Sequence, residues 1–461
     1  MTAGHRRTPA NGEPVLPGWA GELARSPIAL WAAFVAVHVV IGLLALYGRG
    51  YPLGDVTILY KFWIDQAFTA DFWVGIDGPS VYPIVAIVPI FAAHLAYPIA
   101  SAIPAIAPAT AGVELYAISW LAMVTLLDLA AFAVLMRKRG TGSTTGPNAG
   151  ATAAAWWWIA FLLALGPIAV GRIDAVTVPL AVAAVLVIST RPRVAALLLT
   201  VAAWIKVWPG AIVVAMVVTM RQRWQVLLTA VAASAGILGL TLSYGAGWNA
   251  VSFVAQQTGR GLQVEAPVTT AWMWLAWADV PGTSVYYDQE MLTWQVTGAG
   301  VSLTGSLVTP ALLLVVALVC AAAVLAMRRG VDASAILPPF VLALVVGMIA
   351  MQKVGSPQFM SWLAVPVILG LVSHGAGRCR SFRVPAALSL VIAALTHVMY
   401  PYLYGRLLGL ATPMLVVLTV RNALLFVLLG WAVLAMLSAT AARRTPQHHH
   451  QHVEERTPSC S

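Results

Sequence analysis

The chain has 461 residues, 60% hydrophobic and only 9% charged, with a formal net charge of +10 and a mean hydropathy of +0.86. A soluble domain carries about 25% charged residues, so a water-soluble fold of this composition would lack an adequate surface. Apolar runs of about 20 residues recur along the chain, the length of a helix that crosses a bilayer, and they lack the two-residue alternation of barrel strands.

The predicted fold class is therefore all-α integral membrane, a polytopic bundle of about 12 transmembrane helices, with about 11 to 14 compatible with the runs. The basic residues fall in small clusters between apolar runs, which is the positive-inside pattern, so nucleic acid is not an expected partner. Cys320, Cys379 and Cys460 are too scattered for a disulfide framework or a zinc site.

In chain order, residues 1–25 form a polar cytoplasmic tail with Arg6, Arg7 and Arg25, and the transmembrane domain covers 26–440. The run 28–47 is too long for a signal-peptide core and lacks a convincing cleavage site, so it is read as an uncleaved first span. The first extracytoplasmic loop, 48–81, holds Asp55, Lys61, Asp65, Asp71 and Asp77. Within it, Leu59, Phe62, Trp63, Ala67 and Phe68 predict an amphipathic helix lying in the interface, with Asp65 and Asp71 on its solvated side.

Runs 82–98 and 112–136 follow, and the first carries Pro83, Pro89 and Pro98, with Pro104 and Pro108 beyond it, so it reads as a bent hairpin or a partial dip. The odd number of runs before Arg137, Lys138 and Arg139 breaks the parity of the positive-inside count, unless that cluster lies outside. After a flexible linker at 140–150, spans at 152–170 and 174–190 lead to Arg191 and Arg193. The stretch from there to Arg221 and Arg223 is too short for two spans. Two half-helices meeting at Lys206-Val207-Trp208-Pro209 fit it, and such irregular backbone is tolerated where it lines a cavity.

Spans 225–244 and 306–327 enclose a long extracytoplasmic loop, 245–305, and end at Arg328 and Arg329. Spans 333–351 and 357–373 run to Arg378, Arg380 and Arg383; spans 384–404 and about 411–437 run to Arg443 and Arg444. The tail 441–461 is polar. Its His448, His449, His450 and His452 fit an incidental disordered tail better than a metal site.

With this topology the remaining charges gather on the outer face, and ionisable groups near hydrocarbon are functional candidates. Asp55 follows the Gly-Arg-Gly-Tyr-Pro-Leu-Gly turn and precedes the amphipathic helix, a position that also suits an N-cap. Asp77 also suits a turn. Lys206 sits at a helix break, where an ammonium and free N–H groups suit phosphate, although it could equally snorkel. Arg260 is flanked by Gly259 and Gly261, and Arg172, Gln263, Glu265 and Lys353 complete the set. Several cations with few carboxylates make a phosphate site the natural reading. No nucleotide-binding glycine loop, Asp-x-Asp pair or loop histidine cluster occurs, so neither a cofactor nor a metal is indicated.

Asp55, Tyr82-Pro83, Gly171-Arg172-Ile173-Asp174, Ile205-Lys206-Val207-Trp208-Pro209, Arg260-Gly261-Leu262-Gln263-Val264-Glu265 and Lys353-Val354-Gly355-Ser356-Pro357-Gln358 follow one another in that order. The order resembles the polytopic GT-C glycosyltransferases, especially the actinobacterial polyprenyl-phosphate-mannose-dependent α-mannosyltransferases of glycosyltransferase family 87, over about residues 28–440. The resemblance implies a plasma-membrane enzyme with an extracytoplasmic site, a polyprenyl-phosphate sugar as donor and an envelope glycolipid or glycan as acceptor. It makes Asp55 the base and Lys206, Arg260 and Lys353 the groups facing the leaving phosphate. Two motifs depart from the family: Tyr82-Pro83-Ile84 replaces Tyr-Pro-Pro, and Gly171-Arg172 replaces Gly-Gln. The second departure points to a different sugar or acceptor, or to an inactive member. A transporter or flippase of a lipid-linked sugar and a non-catalytic GT-C-like scaffold are the alternative functions. A transporter would be expected to show internal repeats and mid-membrane charges.

Overall fold

The computed structural model describes residues 18–95, 114–140 and 148–442. The histidine run, Cys460, most of the linker at 140–150, and Pro98, Pro104 and Pro108 lie outside the described residues.

The apolar runs fold as helices because a backbone surrounded by hydrocarbon must satisfy its own hydrogen bonds. Among the described residues, eight helices are long and apolar enough to cross a membrane, and five further apolar helices are shorter. The long ones follow the expected runs closely: Pro27–Tyr47, Leu115–Gly140, Ala149–Ala169, Arg223–Ser243, Val301–Arg328, Ala333–Ala350, Pro357–Gly375 and Thr412–Ala439. The 82–98 run begins as a short 3-10 turn and a helix, Ile87–Leu95. The stretch around Lys206 is broken into Pro192–Ile205 and Gly210–Thr219, the two half-helices that the spacing predicts.

Ala333–Ala350 is the central helix. It is apolar all round and buried along almost its whole length, as a helix in the middle of a bundle must be. It packs against the Val301–Arg328, Gly210–Thr219, Ala364–Gly375 and Thr412–Ala442 helices. At the edge, Arg223–Ser243 buries only Val226 and turns Leu228, Val231 and Leu240 outward, a surface suited to lipid. Inside the bundle His38 and Asp128 pair between the first span and Leu115–Gly140. His38 Nδ1 lies 2.8 Å from the Phe34 carbonyl and Nε2 lies 3.0 Å from Asp128 Oδ2. A carbonyl only accepts, so Nδ1 carries a proton.

The loop after the first span, 48–81, departs from a simple amphipathic helix. A π-helical turn, Asp55–Tyr60, precedes the helix Lys61–Ala70. Trp63, Ile64 and Ala67 are buried against the protein, whereas Phe62 and Phe68 are exposed. The expected single apolar face is therefore two faces, one for the bundle and one for the surroundings. Asp65 is exposed and paired with Lys61 at 2.8 Å, in keeping with a solvated side.

The loop 245–305 is not irregular. It contains the helices Phe253–Thr258 and Thr270–Trp277 and an antiparallel hairpin of β1, Ser284–Asp288, and β2, Thr293–Thr297. Residues 262–264 run beside β2, with Val264 N–H donating to Trp294 O and Val296 N–H to Leu262 O. Leu262, Val264, Met273 and Val296 form a small second core with Leu415 and Leu418, which ties this cap to the last long helix.

Candidate functional site

The site forms where the turns at one end of the bundle converge. Asp55 opens the π-helical turn, and π turns are frequent at functional sites. Its carboxylate makes no capping hydrogen bond among the described residues, so the N-cap alternative is not what the fold uses. Instead Asp55 Oδ2 lies 3.1 Å from Arg172 Nε, with a third of the Asp55 side chain exposed.

Arg172 is held rigidly. It sits after the 3-10 turn Gly166–Ala169, and its Nη1 donates to Pro52 O at 2.7 Å and to Gly171 O at 2.9 Å. Its Nη2 donates to the Tyr400 hydroxyl at 2.6 Å. Burial opposes its charge, but the Asp55 carboxylate and then Tyr400 hold its pKa above the ordinary arginine value.

Beside this pair lies a second. Asp174 begins the helix Asp174–Val187, where a carboxylate suits the helix dipole. Trp362 Nε1 donates to Asp174 Oδ1 at 2.6 Å. Asp174 Oδ2 makes no hydrogen bond among the described residues and faces Lys206 Nζ at 3.9 Å, close enough for attraction but too far for a hydrogen bond. The Lys206 ammonium lies between aromatic rings, 4.7 Å from the Tyr82 centroid and 5.5 Å from that of Phe359. Burial pulls the Lys206 pKa down from the ordinary lysine value; Asp174 and Asp55 oppose this and Arg260 adds to it.

Arg260 completes the cluster. Its charge is felt by Lys206, and burial lowers its own pKa against the opposing fields of Tyr82 and Asp55. Its buried Nε makes no hydrogen bond among the described residues. Two cations, Arg172 and Lys206, thus pair with two carboxylates, Asp55 and Asp174, and a third, Arg260, lies within their electrostatic reach in a partly dry setting. Such a site is short of one anion.

The remaining candidates play other parts. Gln263 N–H donates to Lys353 O at 3.0 Å, which ties the 260–266 and 353–358 loops together. A side chain at Gly355 would meet the backbone of Glu265 and Ala266 at 2.0–2.6 Å, so only glycine allows this approach. Burial pushes the Glu265 carboxyl up from its ordinary value, against the Arg421 guanidinium that donates to Oε2 at 2.9 Å and to the Glu265 carbonyl at 2.6 Å. Glu265 therefore anchors its loop through Arg421, and the field of Arg172 also reaches it. Asp77 stays apart: its exposed carboxylate accepts from Trp73 N–H at 2.7 Å and closes a turn.

Sequence reasoning missed Arg421, Tyr60, Tyr400 and the hairpin residues. Tyr60 accepts from Ile173 N–H at 3.0 Å and so fixes the turn bearing Arg172. Arg421 had a signal, an arginine inside an apolar run; the tyrosines had none. Compared with known proteins, the chain matches no family model and no curated sequence, so the functional argument rests on the site and its residues.

Proposed function

We propose that the chain is a membrane glycosyltransferase of GT-C type that moves a sugar, mannose in the reading drawn from the resemblance, from polyprenyl phosphate to an envelope glycolipid or glycan at the outer face of the plasma membrane. The observation that carries this is the one-third exposed Asp55 carboxylate beside Arg172, with Lys206 and Arg260 in the same electrostatic cluster. Asp55 takes the proton of an acceptor hydroxyl as its oxygen attacks the anomeric carbon. The bond from that carbon to the phosphate oxygen breaks, and polyprenyl phosphate leaves with the electron pair. A positioned base contributes about 10²–10⁴-fold, and preorganised cations stabilise the charge that develops on the phosphate. A β-linked donor giving an α-linked product corresponds to inversion. Among the described residues, eight helices are long enough to cross a membrane, fewer than the expected count of about 12.

The same geometry gives the transporter reading one supporting observation. Asp174–Val187 and Pro192–Ile205 have 14 residues each, or about 21 Å of helix. If Arg191 and Arg193 are read as cytoplasmic, helices of that length would leave Asp174 and Lys206 short of the far edge of a core about 30 Å thick, and mid-membrane charges suit a transporter. The test is to incubate the purified protein with radiolabelled polyprenyl-phosphate-mannose and an envelope-lipid extract. Label appearing in a new mannosylated product supports transfer. Unchanged donor that crosses reconstituted vesicles, with no product, supports transport instead.

A further inference from the structure

The hairpin of the outer cap has two unlike faces, because successive strand residues point to opposite sides. Val285, Trp294 and Val296 share the side that covers the second core, and Tyr287, on the same side, packs on Trp294 and stays 44% exposed. The other side carries Ser284, Tyr286, Asp288, Thr293, Gln295 and Thr297 and is polar apart from one ring. Pairing across the strands sets Tyr286 opposite Gln295, and Gln295 opposite Gln263, so these three form a row.

The row is ordered at one end and unsatisfied at the other. Gln295 Nε2 donates to Asp288 Oδ2 at 3.0 Å and to Thr293 Oγ1 at 3.2 Å, and its Oε1 accepts from the Tyr286 hydroxyl at 3.2 Å. This fixes the Tyr286 ring while leaving it 41% exposed. Gln263 is 5% exposed, and its Nε2 has no hydrogen-bond partner among the described residues. Leaving such a donor unpaired is destabilising, and native proteins keep few of them. The row also packs on the loop that carries Arg260: a side chain at Gly261 would meet Gln295 Oε1 at 1.9 Å, so the residue after Arg260 lies directly on it.

We infer that this face is the acceptor subsite, in which the Tyr286 ring stacks on the C–H face of a pyranose and Gln263 Nε2 donates to one of its hydroxyl oxygens. The inference rests on the glycosyltransferase reading and deepens it: the acceptor is recognised by its sugar, entering over the hairpin, rather than by a lipid anchor. A fixed aromatic ring two strand spacings from unpaired amide hydrogens, on the same side of the sheet, suits a polyol, which has both an apolar face and acceptor oxygens. It suits a hydrocarbon chain poorly.

The test uses the purified full chain with octyl α-mannoside as probe, with methyl glycosides of glucose, galactose and arabinose as further probes. Binding is read by saturation-transfer NMR and titration, and transfer by acceptor and donor KM. Tyr286→Ala and Gln263→Leu are each expected to weaken glycoside binding and raise acceptor KM about tenfold, the loss of one stacking or hydrogen-bonding contact. Donor KM is expected to stay within about twofold, since the row lies beyond Arg260. Gln263→Leu is further expected to raise the melting temperature, because it removes an unpaired buried donor; a purely structural glutamine would lower it.

Glycoside affinity unchanged in both variants, or no binding of any probe by the wild type, would overturn the subsite. So would a Gln263→Leu effect confined to donor KM, which would assign that amide to the phosphate. Glycoside binding that is lost in the variants, in a wild type that transfers no sugar, would keep the subsite and remove the glycosyltransferase reading.

Discussion

At Arg172 one side chain joins two other side chains, the Asp55 carboxylate and the Tyr400 hydroxyl, and two backbone carbonyls, of Pro52 and Gly171. A lysine has one nitrogen and cannot reproduce that fork. Arg172→Lys is therefore expected to lower kcat about 10–100-fold with little change in donor KM, because it releases the base rather than the phosphate site. Equal losses in kcat and donor affinity would move Arg172 into the phosphate site. Lys206 makes a pH prediction. Its pKa is pulled down by burial, and only its protonated form attracts phosphate. Donor affinity should then fall as pH rises through a value below that of an ordinary lysine. Lys206→Arg should shift that alkaline limb upward, since a guanidinium keeps its proton. Donor KM measured against pH for both proteins checks the sign. Arg172 and Lys206 were legible as candidates because they are charges beside apolar runs. Their partners were not, since Asp55 and Arg172 are brought together only by the packing of separate helices.

At the level of elements, the 260–266 loop is positioned by a buried ion pair, Glu265 with Arg421. Removing one member of such a pair leaves a buried charge without its partner and costs about 3–5 kcal/mol. Arg421→Met is expected to lower the melting temperature and weaken donor binding together. Adding Glu265→Met should restore much of the stability, as read in a double-mutant cycle. Stability that does not recover in the double variant would mean that Arg421 acts through Asn422, to whose Oδ1 it also donates. The half-helices at Lys206 were readable from too few residues between two basic clusters and a proline. The hairpin was not. Its strands are five residues each and lack a two-residue Asn-Gly or Asp-Gly turn, so their alternation does not stand out inside a long polar loop.

For the whole molecule, the spans were legible because bilayer thickness fixes the length of an apolar run. The bundle's inner order was not, because helices that are apolar all round give no facing direction. Thus nothing in the run 333–351 marked it as the central helix. The buried His38–Asp128 pair was likewise overlooked, although an aspartate within the run 112–136 is the kind of residue that the intramembrane-charge rule singles out. The converged cluster at one end supports a base acting on a hydroxyl while cations receive a phosphate. The most direct measurement is single-turnover transfer from polyprenyl-phosphate-mannose by the wild type and by Asp55→Asn, with donor binding measured in parallel. The account predicts transfer by the wild type and a loss of about 10²–10⁴-fold in the variant with donor binding retained. Undiminished transfer by the variant would contradict it.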